Sequence, residues 1–195
     1  IDFDDDADTS ISSATDDTLV VESGGVNIAS ITAGEFAINE GSANIDFRVE
    51  SNGNTHMLFV DGGNDFVGIG TSSPEQPLHI KSTAGVRMER FQAGSGGANI
   101  DIRKSRNATV GSHTVLQDGD AIGGLTFRGS DGTEYENAAA ILCFVDGTPG
   151  TNDMPSMLSF RTTADGANSY TERMRLTSAG KLEFSMSTFG SSVSA

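Results

Sequence analysis

The chain has 195 residues, 36% of them hydrophobic, with 24 glycines, 11 phenylalanines, two tyrosines and no tryptophan. Disorder throughout is excluded, yet Ile, Val, Leu and Phe total only 43 residues, near the lower limit for a packed core. A net charge of −15 disfavours nucleic acid and anionic lipid as partners, and the longest apolar run, residues 138–145, is too short to cross a bilayer.

The charge is uneven. The first 47 residues hold 11 acids and no Lys or Arg, whereas the other 148 hold 16 acids and 12 bases. Residues 1–17 read as an acidic leader that aids solubility. No signal peptide is visible, and a chain that starts at Ile1 is expected to be processed or to continue upstream.

Residues 18–81 read as a repetitive β segment. Candidate strands at 18–22, 26–32, 35–39, 43–50, 55–61 and 65–69 are divided by SGG, AG, EGS, SNGN and DGGND. In such turns Gly takes positive φ without a Cβ clash, and Asn or Asp bonds its own backbone. Their spacing of about 8–12 residues belongs to all-β architectures. A strand at 77–81 ends the segment.

Residues 82–120 read as a connecting region. The best helix candidate is 86–92, around Met88 and Phe91, although 85–91 also fits a strand; a further strand is expected at 98–104. A distal β domain follows over 121–185, with strands at 123–129, 138–146, 156–162, 170–177 and 181–185. A Ser-rich tail occupies 186–195. The expected fold class is all-β, with short strands, Gly-rich turns and at most one short helix.

An internal repeat links ANIDFR (43–48) to ANIDIR (98–103), with echoes in LTFR (125–128) and LSFR (158–161). With a side-chain period of two, Ile45/Phe47, Ile100/Ile102, Leu125/Phe127 and Leu158/Phe160 face one side. Arg48, Arg103, Arg128 and Arg161 face the other, where their stems cover the sheet and their heads pair with neighbouring acids. A cationic row for anionic glycan is the weaker reading.

No catalytic, cofactor-binding or metal-binding residue is assigned. Cys143 is the only cysteine and lies in an apolar run, where a thiol acts as a small hydrophobe. His79 and His113 supply Cys143 with no acid–base partner nearby in sequence. Asp4, Asp6 and Asp8 have calcium-loop spacing, but Thr9 stands where that loop needs Gly and Thr15 where it needs Glu. A weak calcium site shared between chains is the only cofactor left open. The turns at 62–65 and 129–133 form no regular calcium-binding array. Glu134, Tyr135 and Glu136 form a suggestive cluster that reads as a solvated turn. No nucleophile elbow or zinc-protease motif is present.

Each strand offers two or three inward apolar side chains. Ordering five or six residues costs about as much as burying them returns, so a lone chain is marginal. Either the strands fold into one compact sandwich, or identical chains share a core along an axis and cover their exposed edges. The frequent turns and short apolar runs favour the shared core.

The segment FVGIGTSSPEQPLHIKS (66–82) resembles the VGIGT-x-SP motif of bacteriophage tail fibres and related surface proteins, where it often precedes an endosialidase-type intramolecular chaperone. Residues 121–185, from GGLTFRG to ERMRLTSAGKLEF, are similar to another part of those proteins, as is the acidic opening at 4–21. The chaperone itself is not matched, so Ala195 is expected to be a boundary or the end left by chaperone release. In physical terms Gly68 and Gly70 permit a bend beside Ile69, and Pro74 and Pro77 interrupt the ladder, giving a strand–kink–strand joint.

The resemblance implies a non-enzymatic virion protein: a tail-fibre segment forming a homotrimeric stalk, intertwined or side by side, with β-sandwich or β-prism-like parts. It implies synthesis in the host cytoplasm, exposure on the virion and a part in host attachment. Its partners would be copies of itself, adjoining tail or fibre proteins and a host-surface glycan, with no nucleic acid and no membrane insertion. Alternatives are a receptor- or glycan-binding module using loops 105–120 and 129–137, a polysaccharide-depolymerising tailspike, or a bacterial surface filament or adhesin. The residues expected in the shared core are Ile45, Phe47, Leu58, Val60, Val67, Ile69, Leu78 and Ile80. Distally they are Leu125, Phe127, Ile141, Leu142, Phe144, Leu158, Phe160, Met174, Leu176, Leu182 and Phe184.

Overall fold

A computed structural model describes residues 8–13, 15, 17–39 and 41–185. These contain thirteen strands and no helix, so the fold is all-β. The chain divides into two compact units, Ile1–Glu89 and Arg90–Ala195.

The first unit carries two four-stranded sheets. The first sheet is an antiparallel meander of β1 (Ser10–Ser12), β2 (Leu19–Ser23), β3 (Val26–Ile31) and β4 (Phe36–Ile38). Strand β1 was not expected: its only apolar residue, Ile11, pairs with Val21 of β2. The second sheet holds β5 (Phe47–Val49), β6 (Leu58–Asp61), β7 (Phe66–Ile69) and β8 (Leu78–Ile80). The strand expected at 43–50 is therefore only three residues long.

Strands β7 and β8 run parallel, with Val67 opposite Leu78 and Ile69 opposite Ile80. Parallel neighbours ordinarily need a crossover of about a dozen residues or more, but here residues 70–77 suffice. The link stays short because it turns tightly onto the sheet. Thr71 and Pro74 are buried in it, and the Thr71 backbone lies against Gly68. Gly70, at φ 76°, has the Lys81 carbonyl where a Cβ would stand, and its N–H donates to the His56 carbonyl (2.9 Å). The GIGT glycines thus admit close backbone approach, and the kink predicted from sequence becomes a parallel return.

The second unit holds one five-stranded antiparallel meander: β9 (Ala121–Ser130), β10 (Tyr135–Val145), β11 (Ser156–Thr163), β12 (Tyr170–Leu176) and β13 (Leu182–Phe184). At one end the Asp131 carboxylate accepts the Thr133 and Glu134 N–H groups (2.7 and 2.9 Å) and forms the β9–β10 turn. At the other, aspartates hold the loops. Asp118 accepts the Gly147 N–H (2.8 Å), and Asp146 accepts the Ser178 N–H (2.8 Å). Asp120 accepts the Gln117 N–H (2.9 Å) and pairs with Arg106 (2.9 Å).

Residues 81–120 contain no strand or helix. The expected helix at 86–92 does not form, nor do the expected strands at 85–91 and 98–104: these segments have no backbone partner among the described residues. Among the described residues only Ala29, Phe59, Leu116, Ala140 and Val145 are buried hydrophobics.

Candidate functional site: three uncovered apolar sheet faces

Cross-strand partners share a face, so the register shows which side chains stand together. In the first sheet, Ile11, Val21, Ala29 and Ile38 form one row, and Leu19, Ile31 and Phe36 the next. In the second, Phe47, Val60, Val67 and Leu78 form a row across all four strands. Val49 with Leu58, and Ile69 with Ile80, extend it. The reverse face carries Arg48, Phe59, Gly68 and His79. Phe59 is buried there, edge-on to His56 at 5.5 Å between ring centres.

The distal sheet repeats this on a larger scale. Leu125, Ile141, Phe160, Met174 and Phe184 make one row across five strands. Gly123, Cys143, Leu158, Leu176 and Leu182 make the next, and Phe127 stands beyond them opposite Ala139. Ile11, Leu19, Ile31, Phe36, Ile69, Leu78, Ile80, Leu125, Phe127, Leu158, Leu176, Leu182 and Phe184 are all exposed in the single chain. Cys143, Ile141, Phe160 and Met174 are half-buried. Each sheet therefore presents one apolar face that its own chain leaves partly open.

Most residues expected in a shared core lie on these faces. Leu142 and Phe144 do not, and Ile45 precedes β5 and belongs to no strand. Successive strand residues alternate, so Leu142 and Phe144 point to the reverse side from Ile141 and Cys143. There Leu142 packs against Gly124, and the Arg161 guanidinium lies 5.0 Å from the Phe144 ring centre.

Beside them that side carries a tightly bonded polar cluster. Ser159, fully buried at 0% exposure, donates to Glu172 (2.7 Å) and accepts from Arg161 (3.0 Å). Arg175 donates to the other Glu172 oxygen (2.5 Å). Burial pushes the Glu172 carboxyl up, but the Ser159 and Arg175 hydrogen bonds together outweigh it and hold the group below the usual range. Arg48 pairs with Glu50 (2.6 Å) and Arg103 with Asp101, so these cations meet acids from their own segments. Arg103 is not on a strand, which breaks the four-member row expected from the repeat.

The remaining candidates are scattered. Tyr135 is exposed beside the Asp131 turn, with Glu134 exposed and Glu136 half-buried. His79 Nδ1 accepts the Glu75 N–H (3.3 Å), and His113 is exposed. Asp4 and Asp6 lie outside the described residues. The Asp61 carboxylate accepts from the Gly63 and Asn64 amides and the Asn64 side chain, so its oxygens are engaged by their own turn. Among the described residues no group of three or more His, Cys, Asp or Glu is placed to hold a metal ion. No helix among them is long and apolar enough to cross a membrane.

The fold has a counterpart among solved structures. The carboxy-terminal domain of the bacteriophage T5 L-shaped tail fibre matches with a TM-score of 0.58 and 12% identity, over 83% of this chain and 74% of that one. No family model and no curated protein matches the sequence.

Proposed function

We propose that this chain is a structural segment of a phage tail fibre, working as a parallel homotrimer whose apolar sheet faces turn towards a common axis. One observation carries the reading: three consecutive sheets each have one continuous apolar face, and in a single copy each face is partly open to water. Covering such faces returns about 25 cal/mol per Å², while water-exposed patches of this kind mark interaction surfaces. Equivalent faces of two further copies cover them, and the arginine–acid contacts on the reverse sides of the second and distal sheets remain outside. The likeness to the T5 fibre domain supports the same reading at the level of fold. The role is mechanical and non-enzymatic. The protein would lie on the virion, joined to adjoining tail or fibre proteins, and hold distal elements towards a host surface to which its loops contribute contacts.

Sedimentation equilibrium tests this. A mass three times 20.3 kDa is expected at micromolar concentration, and a stable single copy overturns the proposal.

A further inference from the structure

We propose that residues 82–106 are where copies interlock, each connector running against neighbouring copies and gaining there the partners that its own chain does not supply. This rests on the trimer reading above and adds which segment is shared and how.

The stretch between β8 and β9 is 40 residues long without a strand or helix. Structureless links beyond about 12–15 residues are uncommon in compact domains. Among the described residues, no backbone N–H from 85 to 105 donates to a backbone carbonyl. Its apolar side chains are largely open: Val86, Met88 and Ile100 are exposed, Phe91 is 93% exposed, and Ile102, also exposed, touches its own chain only at Gly123. An alternating sequence with open backbone groups and open apolar side chains has the properties of a strand awaiting a neighbour.

Charge names the occupant. Residues 82–106 hold Arg87, Arg90, Arg103, Lys104 and Arg106 against only Glu89 and Asp101, so this segment is cationic in a chain of net charge −15. The local Arg87–Glu89 and Arg103–Asp101 pairs are exposed, and such pairs contribute little. The surface of every other copy is acidic, so a second copy is the complementary partner. Position agrees. The Ile102 side chain sits where Gly123 would carry a Cβ, at the rim of the distal apolar face beside Cys143 and Leu158. The connector thus leads into the face that further copies would close.

Hydrogen exchange of the native oligomer, read by mass spectrometry, tests this with trypsin digestion alongside. Amides 85–105 are expected to exchange about 100-fold or more slowly than free amides, and the five cationic sites to resist trypsin as the strands do. In Phe160→Asp, designed to dissociate the copies, the same amides should exchange at the free rate and the same sites be cut first. A protein of trimeric mass whose connector exchanges freely and is cleaved first overturns the interlock and leaves the trimer standing. A monomeric mass removes the trimer reading itself, and the interlock with it.

Discussion

The backbone oxygen of Thr71 stands 2.5 Å from the point at which Gly68 would carry a Cβ atom. Backbone cannot yield there without moving the 70–77 link, and that link holds β8 parallel to β7. The expected outcome for Gly68→Ala is a loss of about 1–3 kcal/mol, the range for overpacking. Gly53→Ala is the control, since nothing lies within 4 Å of its Cβ position. Thermal melting at equal protomer concentration should lower the first and leave the second unchanged or slightly raised.

Phe160 and Arg161 are sequence neighbours on opposite faces of β11. Phe160→Asp places a charge in the middle of the five-strand apolar row and should cost at least about 2 kcal/mol per copy. Loss of the trimer in sedimentation velocity is the expected result, with the β signature in circular dichroism retained. Arg161→Gln removes a contact with Phe144 and Ser159 on the polar side and should leave the mass unchanged. Equal effects from both substitutions would contradict the assignment of faces.

Cys143 offers an independent reading of the same face. It stands between Gly123 and Leu158 and is half-buried in one copy. Its thiol should react with an aromatic disulfide reagent at least about tenfold more slowly in the oligomer than in Phe160→Asp, because the closed face excludes the reagent. Equal rates would place Cys143 away from the contact.

The strand pattern was largely legible: β2–β13 each fall within or beside a segment recognised from alternation and turn residues. Partners were not. ANIDFR and ANIDIR have the same alternation, yet Phe47–Val49 forms a strand because Val60, Phe59 and Leu58 stand opposite. Residues 98–104 have no such neighbour among the described residues. Alternation specifies which way side chains face and says nothing of what lies alongside. For the same reason Ser10–Ser12 was missed, since a lone Ile between two serines becomes a strand only through β2. Leu142 and Phe144 were misplaced where an unbroken apolar run hid the period of two. The polar bonds around Ser159 left no local signal, because Glu172 and Arg161 come from different strands.

Salt gives a further expectation. Copies that each carry −15 repel one another on approach, and that repulsion is screened over about 10 Å at 0.1 M salt. Raising sodium chloride from about 0.02 to 0.3 M should therefore strengthen assembly, measured as a lower dissociation concentration. Weaker assembly at high salt would mean that local attraction, such as that of the cationic 82–106 segment for an acidic copy, outweighs the net repulsion.

Acid should loosen the distal sheet in a defined direction. The Ser178 backbone N–H holds the Asp146 carboxyl below its usual range, the Gln117 N–H does so for Asp120, and the Glu134 N–H for Asp131. A carboxylate depressed in the folded state contributes stability that is complete above its unfolded value, about 3.9. That stability is lost as pH falls through the folded value. Protonation also relieves the self-repulsion of an acidic chain, so the wild-type melting curve mixes two opposing effects. Asp146→Asn separates them. It should melt below wild type at pH 7, and the gap should close as pH falls below the unfolded value of about 4 and through the lower folded one, where wild-type Asp146 takes up its proton. A gap that stays constant with pH would show that the loop contact at Ser178 does not depend on the charge of Asp146.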